Sequence, residues 1–170
     1  MRNPLPLFRS KFPTSIAASG DPLVSPAETS CLDYEVELAV IIGKEGRRIP
    51  EASAMDYVAG FSVAHDVSAR DWQLKKNGGQ WLLGKACDGF APLGPSIVTP
   101  DEVGNHNNLW LRTTVNGVEL QTGNTKELVH GVEKCAFATP AISCRPDRAR
   151  PPQHAALLYS HLPPPPLTHP

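Results

Sequence analysis

Residues 33–43 read Asp-Tyr-Glu-Val-Glu-Leu-Ala-Val-Ile-Ile-Gly, an apolar run interrupted by two carboxylates one residue apart. The run predicts a strand. Successive strand side chains point to opposite faces, so Glu35 and Glu37 share one face with Cα atoms roughly 6–7 Å apart. Tyr34, Val36, Leu38 and Val40 occupy the other face, and Ile41 and Ile42 carry the run into buried territory. Ionised carboxylates are not left buried unless a counter-charge or a metal compensates them. A hard divalent cation, which takes oxygen ligands, meets that need. The other reading is a half-exposed strand with both glutamates in water, since Glu is mostly a surface residue.

A third carboxylate favours the first reading. In residues 59–71, Ala-Gly-Phe-Ser-Val-Ala-His-Asp-Val-Ser-Ala-Arg-Asp, Asp66 stands where an apolar strand gives way to polar residues. Strand ends leading into loops are where scaffolds display chemistry. Asp66 can complete a three-carboxylate oxygen site with Glu35 and Glu37, leaving positions for water and substrate. In an extended segment His65 points away from the face used by Asp66, which makes it a packing or supporting residue rather than a ligand.

The coarse pattern places this site in a mainly β domain. Pro50 is expected to open a short helix and Gly60 to close it, with Ala54, Met55 and Val58 packed on the sheet. Residues 61–66 form the second acid-bearing strand. Residues 71–80 contain Lys-Lys-Asn-Gly-Gly, a loop that either covers a pocket or simply connects strands, and 81–85 form a short segment leading to Lys85. Asn116-Gly117, between β-rich segments in 109–122, predicts a type I′ hairpin. Asn124 then reads as a helix N-cap with Glu127 in the capping-box position, and Leu128, Val129 and Val132 as the face to bury, with nothing in the tail to pack against it.

Length and charge exclude several classes. A chain of 170 residues supports a single core. Net charge −1 and a pI near 6.6 give no electrostatic footprint for nucleic acid or an acidic membrane. No apolar stretch approaches the ~20 residues of a membrane span. Cys31, Cys87, Cys135 and Cys144 show no C-x-x-C spacing and follow no secretory signal, so an intracellular, reducing setting is expected. The first twenty residues are basic and lack acids, as transit peptides do. Pro4, Pro6 and Pro13 nevertheless oppose an amphipathic helix there.

Three blocks carry a resemblance: residues 33–44, residues 54–73 (Ala-Met-Asp-Tyr-Val-Ala-Gly-Phe-Ser-Val-Ala-His-Asp-Val-Ser-Ala-Arg-Asp-Trp-Gln) and residues 80–95 (Gln-Trp-Leu-Leu-Gly-Lys-Ala-Cys-Asp-Gly-Phe-Ala-Pro-Leu-Gly-Pro). In that order they resemble the fumarylacetoacetate hydrolase family, continuously over about residues 6–133. The resemblance implies an α+β, mainly β fold of mixed roll or sandwich type, incomplete at the C-terminus. It implies Mg²⁺ or Mn²⁺, with Ca²⁺ a further alternative, held by Glu35, Glu37 and Asp66. It also implies Arg70, Gln73 and Lys85 facing substrate, with Arg70 and Lys85 catalytic. Their chemistry suits a small 2-oxo or 1,3-dicarbonyl acid: Arg grips a carboxylate bidentately, and Lys stabilises developing negative charge or moves a proton. Without the motif, Arg70 reads as an ion-pair partner of a nearby acid such as Asp71, Lys85 as a surface lysine, and Gln73 as a cap. The reactions implied are C–C hydrolysis, decarboxylation or oxaloacetate keto–enol tautomerisation, by a homodimer in the mitochondrion or the cytoplasm.

Departures from the family pattern set the expected domain division. The sequence carries no counterpart of the lid whose His and Glu serve hydrolysis, which argues for decarboxylation or tautomerisation. Residues 1–133 are expected to form a partial catalytic domain, and 134–170 a proline-rich tail, disordered and foreign to the family. That tail holds half of the 18 prolines, including the 163–166 run, which favours polyproline II. An alternative exon or a shifted frame explains such a tail best, ahead of an SH3 or WW ligand. The competing functional readings are an inactive isoform that binds metal or dimerises, and a chain that does not fold.

Overall fold

Strands β1 (Ile16–Ala18), β2 (Leu32–Asp33), β3 (Val36–Ile42), β4 (Val58–His65), β5 (Ser68–Ala69), β6 (Ala91–Val98), β7 (Trp110–Val115), β8 (Val118–Asn124) and β9 (Ala156–Tyr159) are joined by short helices α1 (Leu82–Lys85), α2 (Pro100–Val103) and α3 (Val132–Ala138). The structure, a computed structural model, describes residues 6, 8–46, 49–138 and 156–159. Five strands form one sheet in the order β1-β6-β4-β3-β9, and β2 with β5 and β7 with β8 form two small ribbons. Only β1 and β6 run parallel; the other pairs are antiparallel. The architecture is α+β and mainly β, as the sequence implies.

The acid-bearing run becomes an inner strand because it is apolar on both sides. Leu38 and Val40 pack with Val58, Phe61 and Val132 on one face. Ala39 and Ile41 pack with Ala64 on the other. Every residue of β3 but Ile42 is buried, so the half-exposed reading fails: the glutamates enter a strand that has no solvent face.

Several local expectations are corrected. The segment opened by Pro50 is a 3₁₀ helix, Glu51–Tyr57, and Val58 already begins β4. Gly60 lies inside β4 rather than ending a helix. A Cβ there would stand 2.6 Å from the Val98 carbonyl oxygen, so glycine permits the close approach of β6. Asn124 does cap a turn, its side chain accepting from Lys126 N–H, but that turn is the 3₁₀ segment Thr125–Glu127 and stops at Leu128. Thr125 is held elsewhere: its N–H donates to Leu109 O, and its hydroxyl accepts from Leu109 N–H and donates to His106 O. The helix restarts as α3, whose Val132 enters the core, so α3 does find packing.

The hairpin forms as expected, with Asn116 at φ 51° and Gly117 at φ 82°, the double positive φ that a type I′ turn requires. Its buried Gln121 accepts from Val36 N–H at 2.8 Å, bracing the start of β3. The expected boundary at 133/134 falls within α3, and β9, inside the expected tail, pairs with β3 from Leu38↔Tyr159 to Ile41↔Ala156. The 163–166 proline run, Cys144 and the other residues of 139–155 and 160–170 lie outside the described residues.

Candidate metal and substrate site

Antiparallel pairing brings the three acids together. In the β3–β4 ladder Val36 faces His65 and Glu37 faces Ala64. One step beyond, Asp66 N–H donates to Glu35 O at 2.8 Å. Residues paired across an antiparallel ladder share a face, so Glu35, Glu37 and Asp66 project together while His65 sits on the other side with Val36. All three acids are buried, and each offers an oxygen within 4.8 Å of the others. The expected gathering of Glu35, Glu37 and Asp66, and the separation of His65 from them, are both present. Burial holds His65 below the ordinary histidine range despite the opposing Asp66 charge.

Cations surround the acids. Lys85 is 1% exposed, and its ammonium donates to Glu35 Oε2 at 2.9 Å, Asp66 Oδ2 at 2.8 Å and Ser68 Oγ at 2.6 Å. All three of its donors are therefore committed. Arg70 donates from Nε to Asp33 Oδ2 at 2.7 Å and from Nη1 to Gln73 Oε1 at 2.8 Å, and Nη1 also pairs with Glu35 Oε1. Its buried Nη2 has no hydrogen-bond partner among the described residues. Gln73 thus braces Arg70 rather than capping a helix. Asp71, the ion-pair partner considered for Arg70, instead pairs with Lys76 at 2.7 Å and accepts from Thr29 at 2.6 Å.

Lys11 was not singled out by sequence reasoning, and it closes the arrangement. Its ammonium pairs with Asp66 Oδ1 at 2.7 Å and donates to the carbonyls of Val67 at 3.2 Å and Phe90 at 2.7 Å, and to that of Lys85. Burial pulls its pKa below the ordinary lysine range, more than Asp66 restores. Burial pushes the Asp66 carboxyl up, but Lys85 and Lys11 together outweigh it and hold Asp66 low, so it is ionised. Arg9 and Asp33 were likewise missed. No periodicity marks them, and their partners come from distant segments.

Local sequence explains how Lys85 reaches the acids. The turn Trp72–Lys76 is a π-helix, rarer and wider than an α-helix, and α1 packs against it. A Cβ on Gly84 would meet Gln73 N at 2.7 Å and Ala69 O at 2.8 Å. Glycine at that point lets α1 lie on the 69–73 backbone and deliver the next residue, Lys85, to the floor of the site. Gly78 and Gly79, both at positive φ, turn the intervening loop. Gly79, Gln80 and Trp81 border a cavity of about 380 Å³ together with Arg9 and Lys85, so this loop lines a pocket as well as connecting elements.

The donor set suits a hard divalent ion. Carboxylate oxygens are acceptors only and carry two lone pairs each, so one oxygen can serve both Lys85 and a cation. Oxygens round an octahedral Mg²⁺ at ~2.0–2.1 Å lie within about 4.2 Å of one another. The three carboxylates, with oxygens within 4.8 Å of one another, are gathered closely enough to approach one ion.

Residues 1–139 match the family model described as fumarylacetoacetate (FAA) hydrolase C-terminal. The chain belongs to the fumarylacetoacetate hydrolase family. It is 52% identical over 128 residues to human oxaloacetate tautomerase FAHD2A, mitochondrial, a match covering 75% of this chain and 41% of that protein. It is 49% identical over 142 residues to the Xenopus laevis oxaloacetate tautomerase fahd2, mitochondrial, covering 83% of this chain and 44% of the relative. The chain thus spans less than half the length of these relatives. Among solved structures it is similar to fumarylacetoacetate hydrolase from psychrophilic Exiguobacterium antarcticum, with TM-score 0.72, 40% identity, and coverage of 76% of this chain and 46% of that one. It is also similar to a 5-carboxymethyl-2-hydroxymuconate delta-isomerase from Mycobacterium smegmatis, with TM-score 0.74, 35% identity, and coverage of 84% and 56%. The family match crosses the 133/134 position and ends just after α3.

Proposed function

We propose that this chain carries the metal and substrate machinery of an enzyme that interconverts keto and enol forms of a small 2-oxo acid, with oxaloacetate the leading candidate. The carrying observation is the convergence of three buried carboxylates with one buried lysine that bridges two of them. Names of the relatives and of the isomerase neighbour support the same reading, as does the fit of the donor set to Mg²⁺ or Mn²⁺. By the same relatives, the proposed location is the mitochondrion.

Glu35, Glu37 and Asp66 would hold a divalent ion, which when bound would supply Lewis acidity toward the oxygens of a 2-oxo acid. Arg70 receives the substrate carboxylate, using the Nη2 hydrogens left without a protein acceptor. Gln73 and Asp33 hold that guanidinium in place. The Lys85 ammonium gives a proton to the substrate's C2 oxygen, and the amine so formed takes one from C3, which leaves atoms and charge balanced over the cycle. In the resting arrangement all its hydrogens are spent on Glu35, Asp66 and Ser68. Were Glu35 and Asp66 to hold a cation, their claim on the Lys85 ammonium would weaken and one of its hydrogens could turn to substrate. Tautomerisation needs no hydrolytic water, so this chemistry asks for no residue beyond those gathered here.

The test is thermal unfolding of the full chain with and without Mg²⁺ or Mn²⁺, paired with the ultraviolet decay of enol-oxaloacetate. A melting point that rises with ion, and an ion-dependent decay, both abolished by Glu37→Gln, are expected. An ion-independent melt of a cooperatively folded sample, or decay unchanged in Glu37→Gln, overturns the reading.

A further inference from the structure

Among the described residues, Arg9 is a second cation beside the acids, after Arg70, with hydrogens left unspent. Its Nη1 lies 3.8 Å from Glu35 Oε2 and 4.0 Å from Asp66 Oδ2, beyond hydrogen-bond length. Lys85 already donates to both of those oxygens. Among the described residues, the guanidinium of Arg9 donates no hydrogen bond. Its side chain is only a quarter exposed, because the guanidinium lies 4.5 Å over the Trp81 ring. Such stacking fixes a planar cation while leaving its edge free.

Position gives that edge a purpose. Arg9, Trp81 and Lys85 all line the cavity of about 380 Å³. Arg70 pairs with Glu35 Oε1 and Arg9 faces Glu35 Oε2. Two guanidiniums therefore flank one carboxylate of the triad. Glu35 Oε2 and Asp66 Oδ2, the oxygens nearest Arg9, belong to the residues proposed to take up a cation. Were those oxygens committed to an ion, Arg9 would lose much of its nearby counter-charge and its partly covered guanidinium would be open to another anion.

We infer that Arg9, held by Trp81, is the receptor for the second carboxylate of the substrate and sets preference for 2-oxo diacids over 2-oxo monoacids. The inference rests on the proposed metal site and adds the residue that reads the far end of the substrate.

Calorimetric titration of the full chain in Mg²⁺ with oxaloacetate and with pyruvate tests it, alongside quenching of tryptophan fluorescence. Arg9→Gln is expected to weaken oxaloacetate by on the order of ten- to a hundredfold, the usual cost of a lost charge-assisted contact. Pyruvate affinity should stay within about twofold on the same grounds, since pyruvate has no group to lose. Arg9→Lys should recover only part of the difference, and Trp81→Phe should erase the fluorescence change. Equal oxaloacetate affinity in wild type and Arg9→Gln overturns Arg9 while leaving the metal site standing. Equal weakening of both acids overturns it too, because Arg9 would then act on the site as a whole. Failure of the wild-type chain to bind either acid in Mg²⁺ overturns this inference and the proposed function together.

Discussion

Lys85 shows how much a single buried group decides. An ammonium 1% exposed is tolerated because three acceptors surround it; removing it takes away the cation shared by Glu35 and Asp66 and leaves Arg70 and Lys11 to hold one each. Breaking a buried pair in this way costs roughly 3–5 kcal/mol. Lys85→Met should therefore lower the urea midpoint sharply in chelator, and added Mg²⁺ should raise it by more than in wild type. An equal Mg²⁺ shift in both proteins would show that Lys85 and the ion do not share oxygens. Asp71 offers a pH test away from the site. Burial raises its pKa, but hydrogen bonds from Lys76 and Thr29 more than reverse this, bringing it from 3.8 to about 2. A carboxyl depressed on folding contributes in full above the unfolded value and loses that contribution as pH falls through the folded one. The stability gap between wild type and Asp71→Asn should thus be widest above pH ~4 and close toward pH ~2; urea unfolding across that range measures it. The acids of the site were legible because carboxylates inside an apolar run have few physical excuses. Lys11 was not, because its acceptors are mainly backbone carbonyls from residues 67, 85 and 90, and a carbonyl leaves no trace in composition or period.

Between residue and fold, the short elements behave as spacers with strict tolerances. Gly84→Ala would drive a methyl into Gln73 N and Ala69 O, which are backbone and cannot swing aside. Overpacking of this kind costs about 1–3 kcal/mol, and here it also pushes Lys85 off the acids. The expected signature is a lower melting temperature together with weakened Mg²⁺ uptake, measured by calorimetry. A drop in melting temperature with unchanged uptake would confine Gly84 to packing. Period and turn chemistry exposed the hairpin at 116–117, where backbone conformation is set by two adjacent residues. They misplaced the helix after Asn124, where the deciding contacts are made by Thr125 with residues 106 and 109. Gly60 was read as a stop signal for a related reason: its meaning depends on Val98, nearly forty residues away in the chain.

At the level of the whole molecule, β3 is hydrogen-bonded on both edges, by β4 on one side and β9 on the other. Chain deleted beyond residue 139 keeps the family-matched part but bares the edge of Leu38–Ile41. Bare edges invite strand pairing between copies. Such a deletion should raise light scattering and speed amide exchange at residues 38–41, whereas unchanged exchange there would mean that β9 adds no protection. The ladder between β3 and β4 has a subtler effect. Because side chains alternate, the meeting of the three acids depends on whether the count of residues along each strand is odd or even. A single residue inserted before Glu37 would turn one glutamate toward the hydrocarbon side, and a second insertion would bring it back into line. Parity, more than the shape of any pocket, is what this chain must preserve to keep its acids in company.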